Sequence, residues 1–240
     1  MYTSVDCIAL RTTRLSDSRN LLSAWERGLG RLTFAMPSGN TREARRRRAL
    51  TAPLMIFHGE ADLAPTRDIH PVRDISGDAS SLAAMTPAKT MTAMFVAETL
   101  DLLLRRAEAD QALSDFLFGS VEALTAMDGG AATANFHLIF LYRLTHFLGI
   151  GPGDDTEGRY FDMREGRFRA TRAMHTDCLD EAESDFLRAL ARANYRSAGH
   201  LPLDRTARER ALDRILHYYA LHLTPLTSLK SLGVLRMLNT

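Results

Sequence analysis

Apolar and polar residues come in short, roughly alternating runs over the first third of the chain. Past residue 80 they switch to a period of three to four. The early runs, 2–11, 20–27, 30–36, 53–59 and 67–75, have the length and spacing of β-strands. In Val5-Asp6-Cys7-Ile8-Ala9-Leu10-Arg11-Thr12 the residues Cys7 and Ala9 fall on the face opposite Ile8 and Leu10, which suits a strand partly buried on both sides. Gly28 and Gly30 separate Leu21–Glu26 from Leu32–Met36, the spacing of a hairpin with a bulged turn. Pro37-Ser38-Gly39-Asn40 ends the third run with loop chemistry. Five short strands with an irregular excursion between the third and fourth predict an OB barrel over residues 1–79.

The rest of the chain reads as helical. Ser81 or Thr86-Pro87 opens a helix, since proline is tolerated in a first turn. Met91, Met94, Phe95, Glu98 and Leu102 follow helical spacing, as do Leu113, Phe116, Leu117, Val121 and Leu124. Gly129-Gly130 breaks that pattern. Residues 135–148 are apolar nearly all round, which predicts the central helix of a bundle. After the loop Gly149–Asp155, the segment 159–169 predicts a small hairpin turning near Glu165-Gly166. Helices resume near Leu179–Arg196, Arg205–Leu223 and Ser228–Leu238. The expected class is therefore α+β: a five-stranded OB barrel, then a mostly α-helical domain (80–240) with a β-hairpin insertion.

Composition narrows the setting. Hydrophobic residues are 45% and charged residues 25% of the 240 residues, an ordinary globular mix. No run approaches the ~18 apolar residues of a membrane span, and the first residues lack the pattern of a secretory signal. Cys7 and Cys178 are the only cysteines, which excludes a disulfide framework and fits a reducing, cytoplasmic compartment.

The net charge of +1 hides an uneven distribution. Residues 1–80 hold 12 Lys and Arg against 9 Asp and Glu, residues 81–158 hold 4 against 10, and residues 159–240 hold 14 against 10. All but Lys89 and Lys230 of the 30 basic side chains are arginine, whose planar fork pairs with phosphate and stacks on bases. The densest charge is Arg42-Glu43-Ala44-Arg45-Arg46-Arg47-Arg48. A helix would spread these side chains around its circumference, whereas a mobile loop could aim them at one polyanion, and a mobile loop is the expectation here. A basic front domain of OB type points to single-stranded nucleic acid, with Tyr2, Trp25, Phe34 and Phe57 as the aromatics available, each more in keeping with core than with a stacking platform.

Signatures of catalysis are missing. There is no phosphate-binding Gly-x-x-x-x-Gly-Lys loop, no Gly-x-Ser-x-Gly elbow and no His-Glu-x-x-His. His175-x-x-Cys178 is half of a metal site, where structural zinc takes four ligands. The expectation is a protein that is not an enzyme and needs no metal or cofactor. Two rival readings stay open: a protein–protein adaptor without direct DNA binding, and a hydrolase or nuclease with a metal at Asp154-Asp155.

Several dispersed motifs carry a resemblance. Leu10-Arg11-Thr12-Thr13-Arg14-Leu15-Ser16-Asp17-Ser18, Gly30-Arg31-Leu32-Thr33, Leu148-Gly149-Ile150-Gly151-Pro152, Tyr160-Phe161-Asp162-Met163-Arg164-Glu165-Gly166-Arg167-Phe168 and Leu229-Lys230-Ser231-Leu232-Gly233-Val234-Leu235-Arg236 resemble, in order, segments of the bacterial RecO family. The resemblance implies an N-terminal OB domain and a helical C-terminal domain. It also implies a nucleoid-associated mediator of DNA recombination and repair after DNA damage. Such a protein binds single- and double-stranded DNA and anneals complementary strands. With RecR it helps load RecA onto DNA coated by single-strand-binding protein, whose C-terminal tail it contacts. By position the DNA-binding residues would be Arg11, Arg14, Arg19, Arg31, Arg42, Arg45, Arg46, Arg47 and Arg48, and candidate cations for the tail are Arg143, Lys230 and Arg236. The acidic middle would be left to protein contacts. Many relatives carry a four-cysteine zinc module around the Phe-Asp-x-Arg-Glu-Gly segment; here only Cys178 lies near it. Some relatives also begin the central helix with arginines, where this one has Arg143 alone.

Overall fold

The computed structural model describes residues 2–153 and 157–237. The chain forms two compact units, Met1–Ala126 and Met127–Thr240. The first contains strands β1 (Tyr2–Arg14), β2 (Arg19–Glu26), β3 (Gly30–Pro37), β4 (Ile56–Asp62) and β5 (His70–Ser76), closed into a barrel in the order β1-β2-β3-β5-β4. All pairs are antiparallel except β3 with β5, where Phe34 and Ala35 meet His70 and Pro71 in parallel. Strand parity explains the closure. Cys7 and Ala9 of β1, Leu22 and Ala24 of β2, and Phe34 and Met36 of β3 point inward with Phe57, Ala61 and Val72. Phe34 and Phe57 meet edge to face at 6.3 Å between centroids, each contributing about 1.5–3 kcal/mol by burial.

The opposite face of the same strands is buried as well, because helices cover it. These are α3 (Pro87–Leu103), capped by Thr86, and α4 (Gln111–Ala126), preceded by the short α2 (Ala79–Ala83). Trp25 is fully buried and donates its indole N–H to Ser114 Oγ at 3.0 Å. Ser23 Oγ and Arg31 Nη2 both donate to Asp101 Oδ1 of α3 at 2.8 Å. Arg27 lies over the Phe118 ring at 3.7 Å and donates to Asp6 at 2.9 Å. Gly30 holds φ +78°, and a Cβ there would sit 3.3 Å from the Ala109 backbone, so the turn into β3 keeps glycine.

In the second unit α5 (Gly130–Phe147) is the helix the rest packs on. Phe136, Leu138, Ile139, Phe140, Leu141 and Leu144 are all buried, as expected from its all-round apolar sequence. It contacts α6 (Glu181–Arg192), α7 (Arg205–His222) and a 3-10 turn, Ala198–His200. The chain ends in α8 (Lys230–Met237). Buried polar groups are tied across these elements. Asn135 donates to Ala198 O and accepts from Arg208 Nε, each at 2.9 Å, and Tyr219 donates to Leu141 O at 2.8 Å. Burial pushes the fully enclosed His137 down to about 3, so it is neutral at physiological pH.

The hairpin β6 (Tyr160–Asp162) and β7 (Arg167–Arg169) turns where the sequence indicates. Gly166 at φ +64° is required there, because a Cβ would fall 2.8 Å from the Tyr218 hydroxyl. A carboxylate network fastens the segment that follows. Asp162 is 1% exposed and accepts the backbone N–H groups of Arg164 and Glu165, with the Arg169 guanidinium at 3.2 Å and His175 at 3.4 Å. Asp177 accepts from Arg164 at 2.6 Å and from His217 of α7 at 2.7 Å. The His217 and Arg164 bonds hold the Asp177 carboxyl below its ordinary value.

Asp101 is drawn two ways: burial raises its pKa, while Arg31 and Ser23 overcome that and leave it lowered. Asp101→Asn should therefore cost about 3 kcal/mol, the scale for breaking a buried pair, read as a lower urea midpoint of the intact protein. Because the folded Asp177 carboxyl is the stronger acid, its contribution is present above the unfolded value of about 3.9 and fades as pH falls through the folded one. Amide protection in residues 170–178, after correction for the intrinsic pH dependence of exchange, should fall in acid, and Asp177→Asn should show the lower protection already at neutral pH.

Candidate nucleic-acid interface

The arginine run is helix α1 (Arg42–Leu50), which corrects the expectation of a mobile loop. The local reasons are clear. Thr41 caps the N-terminus by accepting Ala44 N–H, Arg is a good helix former, and Ala44 and Leu50 are buried. Glu43 in the first turn and Arg47 and Arg48 in the last suit the helix dipole. Repulsion within the run is relieved by the loop just before it. Arg45 Nε donates to Asn40 O at 3.2 Å, Arg47 Nη2 to Pro37 O at 3.1 Å, and Arg48 Nη1 to Gly39 O.

The β1–β2 turn stands beside this loop. Arg19 pairs in register with Pro37, Ser38 N–H donates to Ser18 O at 2.9 Å, and Ser38 Oγ donates to Asp17 O. Arg14, at the end of β1, pairs with Asp17. Seven arginines thus lie on either side of the 37–40 loop, Arg14 and Arg19 at the β1–β2 turn and Arg42, Arg45, Arg46, Arg47 and Arg48 in α1, with Asp17 and Glu43 as the acids in those segments. Three of them, Arg19, Arg42 and Arg46, are exposed and have no partner among the described residues. Arg42 and Arg46 are four apart, on one side of the helix.

The remaining two candidates differ. Arg31 is engaged with buried Asp101, and Arg11, half exposed, stands 3.8 Å from the same carboxylate. Strand parity put Arg31 on the helix-covered face with Trp25, and the sequence pattern did not show that cover. The aromatics are not platforms. Trp25, Phe34 and Phe57 are buried, and Tyr2, 41% exposed, carries the Arg73 guanidinium 3.9 Å over its ring.

Between α1 and the strand ends lies a cleft of about 310 Å³. Leu10, Met36 and Pro53 give it apolar walls, Asn20 and Thr12 bring polar groups, and Arg47 and Arg48 stand at it. Asn20 was not singled out in the sequence; its parity with Met36 across β2 and β3 was the available sign.

The candidate cations for a partner tail are scattered over the second unit. Arg143 donates to Ala193 O at 2.9 Å, closing the end of α6. Arg236 pairs with Asp213 at 2.6 Å. Lys230 is exposed at the start of α8. None of the three lines a cavity of that unit, about 440 Å³, whose walls include Phe161, Leu179, Phe186, Ala211, Ile215 and Tyr218. Arg210 and Arg214, one turn apart on α7, stand at it instead. Arg214 pairs with Glu183 at 2.7 Å, while exposed Arg210 has no partner among the described residues. The spacing of Ala207, Ala211, Ile215 and Tyr218 was the sequence signal for this wall.

Among the described residues no three His, Cys, Asp or Glu side chains are placed to share a metal ion. Asp154 and Asp155 lie outside the described residues. Among the described residues, no helix is long and apolar enough to cross a membrane.

A closed five-stranded barrel with a cationic turn, loop and helix on one side, followed by a helical unit with a hairpin, defines the class as an OB-type barrel protein with a helical partner domain. Comparison with known proteins agrees. Residues 86–232 match the family model "Recombination protein O C terminal". The chain is 32% identical over 234 residues to the DNA repair protein RecO of Phocaeicola vulgatus and 32% identical over 242 residues to that of Porphyromonas gingivalis, covering 96% of both chains in each case. It is 25% identical over 238 residues to RecO of Azobacteroides pseudotrichonymphae, with 98% of each chain covered. The chain belongs to the RecO family of DNA repair proteins.

Proposed function

We propose that this protein is a recombination mediator that holds DNA by its sugar–phosphate chains and does not cut it. It binds single and double strands through the first unit and brings complementary strands together. With RecR, it helps RecA replace single-strand-binding protein. The observation that carries the reading is the cluster of guanidinium groups around the 37–40 loop. Three of them meet backbone carbonyls, which occupy one of the five donors on each and leave the charge of Arg45 and Arg48 uncancelled, while Arg47 also stands 4.0 Å from exposed Glu43.

The mechanism is electrostatic. Each phosphate neutralised by an arginine releases condensed counterions, so affinity falls steeply with salt. Phosphate contacts position a strand without reading its bases, so sequence preference is weak. Two complementary strands lying on one cationic surface lose much of their mutual repulsion and pair faster. Arg19, Arg42 and Arg46 make the first contacts, with Arg14, Arg45, Arg47 and Arg48 around them. Arg31 serves mainly to hold the barrel to α3, and Arg11 stands between the two roles.

The contact with single-strand-binding protein is assigned to the second unit. Its apolar groove, with Arg210 at the edge, suits a short tail that ends in apolar side chains and a carboxylate. This favours Arg210 over Arg143 and Arg236, whose guanidinium groups already have partners.

Replacing Arg42 and Arg46 together with alanine should leave the melting temperature unchanged. It should flatten the plot of log affinity against log salt for a single-stranded oligonucleotide by about 1.4, two contacts at ~0.7 each, and slow annealing of complementary strands in parallel. An unchanged slope would remove α1 from the grip. For the tail, Arg210→Glu should weaken binding of a fluorescent peptide from the end of single-strand-binding protein by at least about tenfold, the scale for reversing a charge at a peptide site, while binding of oligonucleotides stays as it was.

A further inference from the structure

The phosphate grip treats single and double strands alike, yet the cleft beside it does not have the shape of a phosphate site. It is roofed on one side by α1 and the turn that follows and floored by the inner ends of β1, β2 and β3. Leu10, Met36 and Thr51 at its base are buried, and Pro37 and Pro53 give it flat apolar edges. Asn20 is half-buried in this wall, and its amide has no partner among the described residues. About 310 Å³ is at the small end of the range for small-molecule pockets.

We infer that this cleft takes one unstacked nucleobase of a single strand while Arg47 and Arg48 hold the flanking phosphates. The inference rests on the reading of the first unit as a strand-holding site and adds to it the means of preferring single strands. The chemistry matches on each side. A base face packs on the rings of Pro37 and Pro53, the Asn20 amide offers both a donor and acceptors to a base edge, and a guanidinium plane stacks on a base or pairs with phosphate. A base within a duplex is stacked and paired and cannot enter without the cost of being turned out. The cleft therefore adds affinity for single strands and releases its base as pairing proceeds, so it does not hold the annealed product.

The test compares three probes on the full-length protein by fluorescence anisotropy: a thymidine strand of about 16 nucleotides, a length one OB domain covers, an abasic sugar–phosphate strand of equal length, and a duplex. The wild-type protein should bind the abasic strand about fivefold more weakly than the thymidine strand, the scale of one net hydrogen bond such as the Asn20 amide would make to the base. Ala52→Trp, which fills the cleft from its α1 side, should lower thymidine binding to the abasic level and leave abasic and duplex binding unchanged. Asn20→Leu, a milder change within the strand, should lower thymidine binding alone. Equal binding of abasic and thymidine strands would overturn the inference while leaving the phosphate grip standing. A weaker abasic strand with no effect of Ala52→Trp in a protein of unchanged melting temperature would place the bases elsewhere and overturn it too. Failure to bind any probe at low salt would sink the strand-holding reading itself, and this inference with it.

Discussion

Guanidinium groups can crowd together and keep their charge where neutral oxygens satisfy some of their donors. In this protein that role falls to the backbone oxygens of Pro37, Gly39 and Asn40, which accept from Arg47, Arg48 and Arg45. A carboxylate in the same place would hold the side chains as firmly and erase the field. A neutral oxygen costs the chain nothing in charge, so the local potential stays positive in a protein whose net charge is only +1. The Thr41 cap and the buried Ala44 and Leu50 then hold the whole run in one place.

The opposite use of arginine appears on the other side of the same strands. Arg31 gives its charge to Asp101, and Ser23 joins the same carboxylate. Trp25 donates to Ser114 and Arg27 to Asp115, with its guanidinium over Phe118, so the same face is tied to α4 as well. One small barrel therefore carries two kinds of arginine. Arg27 and Arg31, meeting carboxylates, fasten the barrel to α4 and α3; Arg19, Arg42, Arg45, Arg46 and Arg48, meeting carbonyls or nothing, are left for an anionic partner. The second unit repeats the first kind in the Asp162 and Asp177 network, where Arg164, Arg169, His175 and His217 converge on two carboxylates.

Strand and helix periods made most of the architecture readable. The barrel strands, the apolar α5 and the hairpin turn at Gly166 all follow from local patterns whose physical reasons act within a few residues. The arginine run favours a mobile loop only if all its charges must face one polyanion; the Thr41 cap and the helix-forming arginines favour a helix locally, and the carbonyl loop folded back beside it, a tertiary feature, holds the charges. Arg31 looked like its neighbours because nothing local distinguishes an exposed strand arginine from one facing a helix seventy residues later in the chain. The groove over α7 and the Asn20 cleft are likewise products of elements meeting in space. Parity and helical spacing put the right residues on the right faces, but could not say which faces stay open.

The account stands or falls on uncancelled charge around the 37–40 loop. The most direct measurement is the affinity of the unmodified protein for a single-stranded oligonucleotide across a series of salt concentrations. At least the three arginines without partners, Arg19, Arg42 and Arg46, should neutralise phosphates, so log affinity should fall against log salt with a slope of about −2 or steeper. A slope near zero with binding intact would mean that the strand is held without those charges, and would contradict the account.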